Sequence, residues 1–142
     1  MQRIIIILLF ITLNSQLIYS QCNPNQHKDF CVKNLSEGYT FIKSYTIEKS
    51  KVNANSEIEY SFVFSKGTNY MLTIADQTGK AENIEIILYD TQHKKIISNY
   101  DKKSGGFFPI QYTCTNTGVH YMTFKYHGSG EPCGISVLGF KR

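Results

Sequence analysis

Apolar side chains in this chain recur with a period of two, and no stretch carries a convincing 3.6-residue repeat. Ile58, Tyr60, Phe62 and Phe64 alternate with Glu59, Ser61, Val63 and Ser65. Tyr70, Leu72 and Ile74 resume the pattern beyond Ser65-Lys66-Gly67-Thr68, a turn sequence. Ile84, Ile86 and Leu88 repeat it with Glu85 on the other face, and Phe108, Ile110 and Tyr112 lead into Cys114. Successive side chains of a strand point to opposite faces, so alternation of this kind sets one face against a core. Residues 119–126 are apolar in part on both faces, as suits a central strand, and Ile135, Val137 and Leu138 open a last one. Gly79, Gly105-Gly106, Gly118, Gly128 and Gly130 fall between the runs. Strand-length segments at such short intervals predict an all-β sandwich or barrel. Residues 21–29 read as polar and irregular, and residues 48–57 as a long surface loop.

Only one such domain fits. The chain has 142 residues, and its start reads as a targeting segment. Met1, Gln2 and Arg3 give a short positive start, residues 4–11 are uniformly apolar, and Asn14, Ser15 and Gln16 break the weaker apolar stretch beyond them. A bilayer span needs roughly 20 predominantly apolar residues, so the pattern is that of a secretory signal peptide. Cleavage is expected after Ser20, which leaves a domain over residues 21–142. Gln21, not a small residue, precedes Cys22, which disfavours lipid attachment there. No later segment is long and apolar enough for a stable membrane span.

Export also frames the cysteines. Cys22, Cys31, Cys114 and Cys133 are even in number and include no Cys-x-x-Cys, so two disulfides that staple a small domain are expected. The pairing is open. Joining Cys22 to Cys31 and Cys114 to Cys133 is one arrangement. A hairpin of residues 119–126 with 134–140 would hold the second pair beyond the ~7 Å Cα limit for a bridge.

The order of segments resembles a known family. Glu59-Tyr60-Ser61-Phe62-Val63-Phe64 is followed by Lys66-Gly67, then by Tyr70-Met71-Leu72-Thr73-Ile74. Next come Ile84-Glu85-Ile86-Ile87-Leu88-Tyr89-Asp90 and, later, Tyr112-Thr113-Cys114-Thr115-Asn116-Thr117-Gly118-Val119-His120-Tyr121-Met122. Over about residues 31–142 this layout resembles the bacterial pre-peptidase C-terminal domain and similar small free-standing secreted proteins of Bacteroidetes. The resemblance implies a single jelly-roll-like antiparallel β-sandwich. Some of those domains accompany secreted proteases, and some collagen-binding relatives hold calcium. No protease domain and no clustered acidic run is present here, so the calcium inference does not carry over.

Chemistry-bearing motifs are sparse. Asp90 and Asp76 each stand before a polar turn and read as carboxylates that cap nearby amides. His27, His93, His120 and His127 lack metal-ligand spacing; His120 reads as a packed residue and His127 as an exposed one. Ser129, in Gly128-Ser129-Gly130, has the wrong spacing for a nucleophile elbow. No catalytic residue, metal or cofactor is therefore expected. A formal charge of +4, with Glu57, Glu59, Glu82 and Glu85 among the lysines, gives a mixed-charge surface and not a nucleic-acid binder. The aromatic residues exceed what one inward face can hold. Tyr100, Phe107 and Phe108, flanking a Gly-Gly pair, make the candidate binding loop. The function expected is an exported, non-catalytic module that binds a protein or a glycan at the cell envelope or outside the cell, in the periplasm or medium. The alternative is a structural or accessory subunit of a larger assembly, joined through a bare sheet edge.

N-terminal sequencing of the exported protein tests the targeting segment. It is expected to begin at Gln21, and retention of Met1 would contradict the reading.

Overall fold

A computed structural model describes residues 21–142; the expected targeting segment lies outside the described residues. The strands are β1 (Thr40–Glu48), β2 (Glu57–Phe64), β3 (Asn69–Asp76), β4 (Ile84–Tyr89), β5 (Lys95–Ser98), β6 (Tyr100–Asp101), β7 (Gly106–Phe107), β8 (Ile110–Thr113), β9 (Gly118–Tyr126) and β10 (Cys133–Lys141). Two four-stranded sheets, ordered β1-β10-β3-β8 and β2-β9-β4-β5, face each other, and β6 and β7 form a small ribbon.

All pairings are antiparallel, and they nest. β1 pairs with β10, β2 with β9, β3 with β8 and β4 with β5. The chain is thus one long hairpin with the β4–β5 turn at its tip. Rolling that hairpin sets β10 beside β3 and β9 beside β4, which is the jelly-roll arrangement. The expected sandwich is the observed one.

The alternation in the sequence fixes which face is inside. Along β2, Ile58, Tyr60, Phe62 and Phe64 turn to the core, while Glu59, Ser61 and Val63 are exposed. Leu72, Leu88, Met122, Phe124 and Leu138 fill the space between the sheets. Phe64 stacks on Tyr70 at 3.9 Å between ring centroids. Gly134 sits in β10 where a β-carbon would lie 2.7 Å from the Ala75 carbonyl oxygen, so no larger residue fits.

Three features differ from expectation. The first strand, β1, carries no clean alternation, because a register shift between Phe41 and Lys43 puts its apolar residues out of phase. Residues 21–29 are not irregular. Pro24–His27 form a 3-10 turn that runs into a short helix, α1 (Lys28–Lys33). Pro24 pre-sets the first turn, and Cys31, Val32 and Leu35 then pack on Ala75, Ile135 and Val137. These lie on the outer face of the β10–β3 pair, which explains why both strands are buried on two sides. The Thr73 hydroxyl donates to the Cys31 carbonyl oxygen at 2.9 Å. Six helical residues are too few to show a helical period in the sequence.

The third difference is the cysteines: one disulfide forms, not two. Cys22 is bonded to Cys133, with Cα atoms 5.6 Å apart, while Cys31 and Cys114 are free thiols. The bridge pins the N-terminal segment across the sheet it covers and leaves no Cys22 thiol for lipid. Cys31 lies under α1 on the outer face, whereas Cys114 lies in the core between the sheets. A sheet separates them, so they cannot pair. Nor do β9 and β10 form a hairpin, since they belong to different sheets. Burial pushes the Cys31 thiol up to about 11 against a hydrogen bond from Thr73 that opposes it, which makes it a poor nucleophile.

Alkylation of the denatured, unreduced protein is expected to tag two thiols; none, or four, would contradict the pairing. Losing the bridge, which spans 111 residues, is expected to cost about 2–5 kcal/mol. The buried Tyr45 hydroxyl has no hydrogen-bond partner, and an unpaired buried polar group costs about 1–3 kcal/mol. Tyr45→Phe is therefore expected to hold or raise the denaturation midpoint; a clear fall would show a hidden partner.

Candidate functional site

The two ends of the sandwich carry different loops. The disulfide end holds residues 49–56, 77–83 and 127–132 and the β6–β7 ribbon, and the other end holds 65–68, 90–94 and 114–117. The candidate binding loop lies at the disulfide end. There Tyr100 pairs with Phe107 across the ribbon, with rings 4.9 Å apart. His127 stacks on Tyr100 at 5.4 Å, and its Nε2 lies 2.9 Å from Glu85 Oε2. The Ser98 hydroxyl donates to Glu85 Oε1 at 2.7 Å. Asn99 fastens the base of the ribbon: its Oδ1 accepts the Ile86 amide and its Nδ2 donates to the Ile84 carbonyl. Tyr100 and Phe107 are thus engaged in holding the ribbon to the sheet. Phe108 alone of the three is open to solvent, at 53% exposure, with its ring beside Gly106.

The Glu85–His127 pair has the elements of an acid–base couple but not the setting. Burial pushes the Glu85 carboxyl up, yet hydrogen bonds from Ser98 and His127, with the charges of His127 and Lys95, bring it below its ordinary value. Ser98 donates to the carboxylate and not to the imidazole, so no nucleophile meets a base.

At the opposite end the tip of the long hairpin is built by Asp90. Its Oδ1 accepts the Gln92 and Lys94 amides at 2.8 and 2.9 Å, the capping role expected of it. Those amides, first Lys94 and then Gln92, hold the carboxyl below its ordinary value. Asp76 caps its own turn through the Thr78 and Lys80 amides. The Asp90 turn puts His93 in a left-handed conformation, with φ of 56°. Its ring stacks on Tyr121 at 3.7 Å, with Tyr89 6.5 Å away. Val63 and Val119 pair across β2 and β9 nearby and are 57% and 39% exposed. The outer face of the β2-β9-β4-β5 sheet therefore carries aromatic and apolar groups at this end, beside the Glu59 carboxylate 3.9 Å from His93 Nε2.

Beneath the same turn is a cleft of about 420 Å³. Ile96 on β5 and Tyr112 on β8 line it, and loop residues Asp90, Thr91, Gln92, Thr115 and Asn116 complete it with His120. His120 is 1% exposed, as a packed residue should be, and its ring stacks on Phe64 at 4.8 Å. Its Nδ1 lies 3.0 Å from the Gly118 carbonyl oxygen. The loops around the cleft are tied together. The Lys66 amide donates to Thr117 Oγ1, the Gly67 amide to the Cys114 carbonyl and the Cys114 amide to the Thr68 carbonyl, all within 2.9 Å.

Several lysines are neutralised by carboxylates, as a mixed-charge surface predicts: Lys49 by Glu131, Lys51 by Glu48 and Lys125 by Glu57. Among the described residues no three His, Cys, Asp or Glu side chains gather to hold a metal ion, and no helix is long and apolar enough to cross a membrane. No family model, curated protein or solved structure matches this chain.

Glu85 gives a pH prediction. A carboxyl held below its ordinary 4.5 stabilises the fold above that value, and the contribution is lost as pH falls through the folded value. Glu85→Gln is therefore expected to be less stable than the parent at pH 6, with the gap closing as pH falls below the ordinary 4.5 and through the folded value. A gap independent of pH, measured by urea denaturation, would contradict it.

Proposed function

We propose that this chain is an exported, non-catalytic β-sandwich module that binds a protein or a glycan at the cell envelope or outside the cell, through the end built around the β4–β5 turn. One observation carries the reading. A single turn, held by Asp90, separates a stacked His93 and Tyr121 pair, with Tyr89 close by, from a polar cleft that His120 helps to line. Aromatic rings with polar tips offer large contact area at little cost in side-chain freedom. Loops fastened to a rigid scaffold are where recognition residues usually stand.

Other observations support parts of the reading. The positive start with its apolar run, and the Cys22–Cys133 bridge, favour export. Among the described residues Ser98 meets the Glu85 carboxylate and not the His127 imidazole, which favours a non-catalytic role. The subunit reading has weaker support, because each sheet edge carries a device against pairing. β1 has a register shift, β2 presents Glu57 and Glu59, and β5 and β8 are four residues long. Kinship with pre-peptidase C-terminal domains belongs to the same proposal and rests on the order of segments between Glu59 and Met122.

The test is capture of partners from envelope and medium fractions with the tagged protein under non-reducing conditions. One saturable partner is expected. Tyr121→Ala is expected to weaken it by about 30-fold, the loss of an interface anchor, while Phe108→Ala at the far end leaves it unchanged. Loss with Phe108→Ala alone would move recognition to the disulfide end. No saturable partner of any kind would overturn the proposal.

A further inference from the structure

We propose that the cleft beneath the β4–β5 turn is a saccharide site that takes a single pyranose ring. The proposal rests on the binding-module reading and narrows it to a place and a ligand class.

The cleft follows from the topology. β5 and β8 are the edge strands of the two sheets on the same side, and they do not pair with each other. The slot between them is walled by Ile96 and Tyr112 and closed at one end by the Asp90 turn and the 114–117 loop. Its volume of about 420 Å³ falls within the roughly 300–1,000 Å³ of small-ligand pockets.

His120 supplies the deciding group. A carbonyl oxygen can only accept, so Nδ1 carries the proton it shares with Gly118. In the neutral ring Nε2 is then an acceptor, and it has no partner among the described residues. The Tyr45 hydroxyl is the one fully enclosed unpaired side-chain polar atom among those residues. Nε2 is not among the sealed unpaired atoms, and His120 is one of the residues that line the cleft. A buried ring that lines the cleft and keeps one acceptor without a partner among the described residues is a fixed receptor for a hydroxyl donor.

The other groups point the same way. Asp90 Oδ1 is occupied by two amides, which fixes the second oxygen as a further acceptor. The side-chain amides of Gln92 and Asn116, which can donate and accept, make no hydrogen bond among the described residues. Hydroxyl groups that each donate and accept satisfy such a set. An anion is opposed by Asp90, since no cation lines the cleft. An organic cation would find one carboxylate and one tyrosine ring, short of an aromatic cage. An apolar ligand would strand the polar rim without partners. A pyranose presents hydroxyls at its edge and C–H groups on its face, which match the polar rim and the Tyr112 wall. The tied loops hold these groups in place before the ligand arrives, which lowers the cost of binding.

The test is titration of the purified, ¹⁵N-labelled protein with methyl glycosides of glucose, galactose, mannose and N-acetylglucosamine. Tetramethylammonium and inorganic phosphate serve as cationic and anionic probes. At least one glycoside is expected to give saturable shifts at residues 90–92, 115–116 and 120, with millimolar affinity. His120→Phe keeps the stacked ring and removes Nε2 together with the Nδ1 bond to Gly118, and Asn116→Ala removes a rim amide alone. Each is expected to weaken binding about tenfold or more. Should His120→Phe fail to fold, Asn116→Ala carries the test alone. The proposal is overturned if no glycoside shifts the cleft, if tetramethylammonium or phosphate occupies it in their place, or if the folded variants bind as the parent does. Capture of a Tyr121-dependent partner without any glycoside binding would sink the cleft and spare the module; failure of both would sink both.

Discussion

Nested antiparallel pairing is the constraint on which the rest of this structure depends. Each outer pair, β1 with β10 and then β2 with β9, closes around the pair inside it, ending at β4 with β5. Register is set by burial: a slip of one residue along β2 would move Ile58, Tyr60, Phe62 and Phe64 to solvent and bring Glu57 and Glu59 to the core. The same winding decides where the open places are. It leaves β5 and β8 as facing edges with a slot between them, and it puts the tip of the hairpin at the end of that slot. The cleft and the stacked rings beside it are products of how the hairpin rolls, and only the identity of the lining residues is left to local sequence.

The N-terminal segment has a second, quieter role. The outer face of the β10–β3 pair carries Ala75, Ile135 and Val137, which would be an exposed apolar patch without a cover. α1 supplies it with Cys31, Val32 and Leu35, and Cys133 lies at the β10 end where Cys22 can reach it. A cover of six helical residues is too short to be stable alone. A covalent tie at its start and the Thr73 hydrogen bond at Cys31 hold it down, and the free Cys31 thiol is buried as a packing atom.

Most of the sandwich was legible because its strands bury one face. β2 and the first half of β4 announce themselves by alternation, and residues 119–126 by being apolar on both faces, as befits the central β9. β1 was not legible, because the register shift after Phe41 breaks its phase. The cysteine pairing was not legible either, since it depends on which strand ends the winding brings together. The site was read only in part. Asp90 was recognisable as a turn cap, but its turn had no visible link to Tyr121, 31 positions on in the chain, or to Asn116. His120 is packed as its neighbours suggested, yet packing engages only one of its nitrogens. Nothing in the sequence reveals that His127, held by Glu85, packs beside Tyr100 and Phe107.

Recognition at the β4–β5 turn, and not at the disulfide end, is the claim on which the functional account turns. Site-specific photo-crosslinking in living cells tests it most directly, with a photoreactive side chain installed in turn at position 93 and at position 108. A discrete adduct is expected from position 93 and none from position 108. An adduct from position 108 alone would contradict the claim and return the candidate site to the ribbon end.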